Sequence, residues 1–109
     1  MARPVYSTLF VAERLTTAGP PVGFIPVSGQ VAVIRDIELL NTGGLAGDEL
    51  VLELGPDGGE IMSWDVLAPG TFAKQWVGRV VVPFGNFFQF VSNAGSWHIA
   101  CSGYVLTNP

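Results

Sequence analysis

Turn signals interrupt this chain at short intervals, and that spacing is what most limits its fold. They fall at "TAGPP", "SG", "NTGGLAGD", "GPDGG", "APG", "PFGN" and "NAG". The apolar segments between them are only roughly five to twelve residues long, a strand length rather than a helix-bundle length. None shows a stripe of 3.6-residue period, and several alternate with a period of two. The pattern predicts strands over about Val5–Leu15, Val22–Val27, Gln30–Leu40, Glu49–Leu54, Glu60–Val66, Phe72–Val82, Phe87–Ser92 and Ser96–Thr107. With no helix to carry a parallel crossover, these seven or eight strands imply an all-β fold. We expect an antiparallel β-sandwich with a jelly-roll-like topology.

Single turns support this reading. In "GPDGG", between "ELVLEL" and "EIMSW", Pro56 presets φ and the glycines accept positive φ, so a hairpin is expected there. In "PFGN", Gly85 falls where a type II turn led by Pro83 needs it. Pro26 cannot donate to a ladder, so the segment around it is an edge strand or no strand. The 109 residues suit one domain spanning 1–109, with residues 1–6 read as an extended N-terminal arm because Pro4 opposes a regular start.

Charge and composition exclude several classes of function. Charged residues are 13% and hydrophobic ones 49%, the reverse of a disordered chain. Net charge is −4, and Arg3, Arg14, Arg35, Lys74 and Arg79 are scattered, so a nucleic-acid partner is not expected. Val80 to Pro109 carries no formal charge. Pro83, Gly85, Asn86, Asn93, Gly95 and Gly103 break it, so we expect neither a transmembrane helix nor a membrane partner. "MARPVYSTLFVAERL" has the arginine and short apolar stretch of a signal peptide, but Glu13 and Arg14 interrupt it and no A-x-A-like site follows, so it is read as mature protein.

The candidate chemistry is sparse. His98 and Cys101 are the only residues of their types and lie three positions apart. On a strand they face opposite ways, roughly 10 Å apart, which excludes a thiolate–imidazole pair. Ser96, His98 and Ser102 share a face, but i and i+2 side chains on a strand stand about 7 Å apart, too far for a base to contact its nucleophile, and no G-x-S-x-G elbow occurs. Asp48 and Glu49, or Asp57 and Glu60, lack the spacing of a calcium loop and read as solvated loop acids. We therefore expect no enzyme activity, no metal site and no cofactor. Trp64 is the candidate contact for a carbohydrate, because an exposed ring can stack on a sugar face. Arg35 and Arg79, embedded in apolar strands, are expected to fix register by pairing with acids, either within the chain or across a subunit boundary.

The alternation itself departs from that of a strand with one wet face. "YSTLFVA", "FFQFV" and the last strand carry apolar side chains on both sides, more than one small sandwich core can cover. Hiding a few hundred Å2 of such surface is worth several kcal/mol before association costs, at about 25 cal/mol per Å2. A homo-oligomer or a larger assembly is expected. Trp76, Trp97, Tyr104, Phe87, Phe88 and Phe90 are the residues expected to supply core and interface area.

The series "VAVIRDIELLNTGG", "WVGRVVVPFGNFFQF" and "GSWHIACSGYVLTNP" resembles small all-β virion proteins of tailed bacteriophages, particularly those infecting actinobacteria. The likeness runs from about Val31 to Leu106. It is carried by Arg35-Asp36-Ile37 with Asn41, Trp76-x-Gly78-Arg79, Pro83-x-Gly85, and Trp97 with Ser102-Gly103-Tyr104-x-Leu106. It implies a structural part of the virion, a minor tail or head decoration protein, made in the host cytoplasm. Its implied partners are copies of itself and other virion proteins. The competing reading is a host-surface or carbohydrate-binding sandwich, with the loops "NTGGLAGD" and "APGTF" flanking a groove.

Overall fold

Eight strands and no helix make up the described part of the chain in a computed structural model, which describes residues 8–17, 19–56 and 59–107. They are β1 (Thr8–Leu15), β2 (Val22–Phe24), β3 (Gln30–Gly44), β4 (Glu49–Gly55), β5 (Gly59–Asp65), β6 (Gly70–Pro83), β7 (Phe87–Ala94) and β8 (Trp97–Thr107). The proposed N-terminal arm and the tip of the "GPDGG" turn lie outside the described residues.

Two four-stranded sheets form, β1-β8-β3-β6 and β2-β7-β4-β5, here called sheet A and sheet B. All six pairings are antiparallel, and four of them join first with last, second with seventh, third with sixth and fourth with fifth. A single long hairpin folded over on itself produces this order, and it is the jelly-roll form of the sandwich. The connections β1–β2, β3–β4, β5–β6 and β7–β8 therefore share one end of the molecule. The connections β2–β3, β4–β5 and β6–β7 share the other.

Period-two alternation fills the space between the sheets. On β4, Leu50 and Leu52 are fully buried and Leu54 packs against them, while Glu49 and Glu53 face out. On β7, Phe88 and Phe90 point in, and on β8 Trp97, Ile99 and Cys101 do so. The aromatic rings form a contact series through the layer. Phe10 meets Phe24 at 4.8 Å and Phe88 at 5.6 Å, and Phe90 lies over Trp64 at 6.4 Å. Offset and edge-on pairs at such separations add stability beyond burial.

Local chemistry explains most strand ends. Pro26 limits β2 to three residues at the margin of sheet B, as its missing N–H requires. In the β6–β7 turn, the Asn86 N–H donates to the Pro83 carbonyl at 3.0 Å, with Gly85 at φ +96°, the arrangement of a type II turn. Trp76 packs inward, and a Cβ on Gly78 would lie 2.5 Å from its indole ring, so Trp76-x-Gly78 acts as one packing unit.

Register shifts interrupt strict alternation, and those on β1 and β3 re-aim core residues. On β1 the register shifts between Leu9 and Val11. Leu9 and Val11, expected on one face, therefore part company: Leu9 is 61% exposed and Val11 only 5%, while Phe10 turns into the core layer. On β3 the shift falls between Ile34 and Asp36, so both Ile34 and Ile37 reach the core and Arg35 is left outside.

Candidate functional site

The sequence-selected aromatic residues separate into three groups. Trp97, Phe88 and Phe90 are fully buried in the core, and Trp76 packs against it. Phe87 is half-buried on the outside of sheet B, its ring occupying the space that a Cβ on Gly55 would need. Tyr104 is half-buried on the outside of sheet A. Trp64, the candidate glycan contact, is 9% exposed and lies over Phe90 within the core. That placement corrects the expectation, because a ring covered on the sheet interior has no face to offer a sugar. Its inward direction follows from its register opposite the core residue Leu50.

His98 and Cys101 do face opposite ways. Cys101 is buried in the core, where desolvation first, and then the charge of Asp36, pushes its thiol up to about 12. A thiol held protonated in this way is a packing group and not a nucleophile. His98 is exposed on the outside of sheet A, directly opposite Arg14 on β1 and Leu40 on β3.

Asp48 is not the solvated loop acid expected from its surroundings. It is buried, and its Oδ2 accepts from Asn41 Nδ2 at 3.0 Å and from the Leu45 N–H at 3.1 Å. Its backbone closes the same turn, donating to Leu45 and accepting from Val66. Gly95, at φ +93°, presses against this carboxylate so closely that a Cβ would lie 2.5 Å from it. Asp48 therefore ties β3, in sheet A, to β4, in sheet B. Glu49 bonds to Asn93 instead, and Glu60 is exposed. Among the described residues no group of three or more acids, histidines or cysteines could hold a metal ion.

Arg35 is exposed at the β3 bulge and Arg79 is exposed on β6. Of the acids expected to pair with them, Asp36, Glu38 and Asp65, the first two are engaged by an amide and Asp65 is exposed on β5 of the other sheet. Gln75 Nε2 donates to Asp36 at 3.1 Å and lies 3.5 Å from Glu38, bridging β6 to both carboxylates of β3. Among the described residues, Arg14 is the arginine whose side chain donates a hydrogen bond, from Nε to Ser96 Oγ at 2.7 Å. Neither Gln75 nor Arg14 stands out in the sequence, because their partners are distant in the chain and set by register alone.

The outside of sheet A is the most developed surface. Strand register lays out its rows from β1 to β6. Arg14, His98, Leu40 and Ala73 form one, and Ala12, Ala100, Glu38 and Gln75 form the next. Leu9, Ser102, Asp36 and Val77 follow. Nearer the β6–β7 end, Tyr104, Val33 and Val81 make an apolar row, with Leu106, Val31 and Pro83 beyond it. A shallow trough of about 650 Å3 crosses the first two rows, where the alanines leave room between Arg14, Glu38, Gln75 and His98. This surface has no nucleophile–base geometry. It offers contact area, with a polar half and an apolar half. No family model, curated protein or solved structure matches the chain.

Proposed function

We propose that the chain is a structural component of a tailed-bacteriophage virion, a capsid decoration or minor tail protein that acts by self-association and apolar contact with other virion proteins. The observation that carries this reading is the apolar surface left uncovered. Val77 is 65% exposed on the outside of sheet A, and Leu9, Val81 and Leu106 are exposed on the same face. At the adjoining end, the loop residues Ile25, Val27 and Phe84 are exposed as well. Apolar surface gathered in this way is the mark of a protein that meets neighbours.

The jelly roll serves viral capsid domains, lectins and cupins alike, so the fold by itself does not choose among them. The choice rests on the uncovered face and on the resemblance to phage virion proteins. The glycan-binding alternative loses the tryptophan on which it depended.

Imaging of purified particles with a tagged chain tests the proposal. Ordered copies on a head or tail support it, and particles that contain none of the chain refute it. In solution, Val77→Ser should leave the unfolding free energy from urea titration unchanged within about 0.5 kcal/mol while weakening self-association in sedimentation velocity.

A further inference from the structure

A sandwich associates with copies of itself either along its strand edges or across its faces, and here the edges are blocked. Glu13 on β1 occupies an inward position between the buried Val11 and Leu15, opposite the core residue Ile99. Lys74 on β6 likewise lies between Phe72 and Trp76, opposite Leu39. Both side chains are exposed, so each edge strand of sheet A carries a solvated charge at an inward register position, a device that disfavours pairing with another strand. In sheet B, the edge strand β2 has three residues with Pro20, Pro21 and Pro26 around it, and the pairing of the other edge, β5, is broken by a register shift. Faces remain.

The two faces differ in charge. The strands of sheet B hold four carboxylates and no lysine or arginine. Two pairs of these acids stand directly opposite one another, Glu49 with Asp65 and Glu53 with Glu60. Like charges in that position destabilise a sheet. One amide on β7 binds a single member of each pair, Asn93 on Glu49 and Gln89 on Glu53, leaving Asp65 and Glu60 exposed. The four lysines and arginines of the described residues all lie on strands of sheet A. There, two of the three acids, Asp36 and Glu38, are bridged by Gln75. Arg14 and Arg79 project from the outer face, Arg79 beside the exposed Val77.

We infer that copies of this chain stack front to back, the outer face of sheet A on one copy receiving the outer face of sheet B on the next. Arg14 and Arg79 then meet the opposed carboxylates on β4 and β5, and Val77 and Val81 are covered in the same contact. Such an interface is heterologous, so it closes into a ring or continues as a stack according to the rotation between copies. The inference rests on the assembly reading above and adds its geometry and recognition chemistry.

Charge reversal on one face at a time tests it, with the full chain followed by sedimentation velocity. Glu60→Lys with Asp65→Lys sets two lysines beside Glu49 and Glu53 and so removes the net negative charge of the sheet B strands, and Arg14→Glu with Arg79→Glu makes both faces acidic. Each double variant alone should sediment as a monomer, and an equimolar mixture of the two should recover wild-type assembly. All four positions are exposed, so circular dichroism should match the wild type; the urea midpoint of Glu60→Lys with Asp65→Lys should be no lower, because it relieves the two opposed carboxylate pairs. Wild-type association should weaken about tenfold or more between about 50 mM and about 500 mM NaCl, a readout that needs no variant. If either double variant assembles alone as well as wild type, if the folded variants fail to recover on mixing, or if salt leaves association unchanged, front-to-back stacking is wrong while the assembly reading stands. A wild-type chain that is monomeric at every salt concentration removes the assembly reading itself.

Discussion

The outer faces of sheets A and B both carry valines, yet they solve the problem of facing outward differently. On sheet B the valines are gathered. Val51 stands opposite Val91 and is nearly buried, between the rows where Gln89 holds Glu53 and Asn93 holds Glu49. On sheet A the valines are spread. Val33 is fully buried in the same row as Val81, which is 46% exposed, and Val77 is more exposed still. Sheet B covers its apolar centre with its own side chains. Sheet A leaves its edge strand uncovered, and the difference shows that an outward position on a sheet does not define a residue's solvation. Neighbours across the strands do.

The largest test of this contrast places a charge at matched outward positions. Val33→Asp and Val51→Asp should each cost about 3 kcal/mol or more, since an unpaired carboxylate is forced into a covered site. Val77→Asp, on the same face as Val33, should fall within about 0.5 kcal/mol of wild type. Urea unfolding monitored by tryptophan fluorescence measures all three. If Val33→Asp proves harmless, the outer face of sheet A is open throughout.

A second test concerns the layer beneath. Sheet A alone carries a cysteine, and burial raises the Cys101 thiol from 9.0 to about 12. In the unfolded chain the thiol ionises first, so between these values the unfolded state holds fewer protons than the native state. Stability from this group is complete below about pH 9 and falls as pH rises toward 12. A Cys101→Ala variant should lose less stability than wild type between about pH 8 and about pH 10.5, although its cavity lowers stability at every pH. In native protein the thiol should resist alkylating reagents, and it should react on unfolding.

What the sequence made legible follows the range of the physics involved. Turn chemistry acts over four residues, so the "PFGN" turn and the short β2 were readable from Gly85 and Pro26. Alternation acts along one strand, so the inward side of "ELVLEL", with Leu50 and Leu52, was readable, whereas the division of Phe87, Phe88, Phe90 and Trp97 between core and surface was not, because their strands are apolar on both sides. Bulges were not, because the extra residue at Phe10 or Arg35 is defined only against a partner strand. The same holds for the side-chain bonds. Asp48 looks like any acid in a glycine-rich loop until β3 and β4 bring Asn41 to it, and Gln75 is unremarkable until β6 lies beside β3. Trp64 shows the ambiguity of aromatic residues, since size and polarity alone suit a core or a platform equally and only its register opposite Leu50 decides.

The smallest expected effect is also the most direct comparison of the two faces, because both use a glutamine to hold carboxylates across strands. Gln89 binds one acid, Glu53, at 2.9 Å, while Gln75 bridges two, Asp36 and Glu38, at 3.1 and 3.5 Å. Each bond is exposed or only partly buried, so Gln→Ala at either position should cost about 0.5 to 1 kcal/mol. The two losses should respond differently to salt. Removing Gln75 leaves Asp36 and Glu38 on neighbouring rows of one strand with nothing between them, and adding salt should screen that repulsion and recover part of the loss. Removing Gln89 leaves Glu53 facing Glu60, a directly opposed pair that repels already in the wild type. Salt should therefore stabilise wild type and Gln89→Ala by nearly the same amount, and Gln75→Ala by more. Equal salt responses in the two variants would mean that Gln75 acts as a spacer on sheet A and not as a bridge between charges.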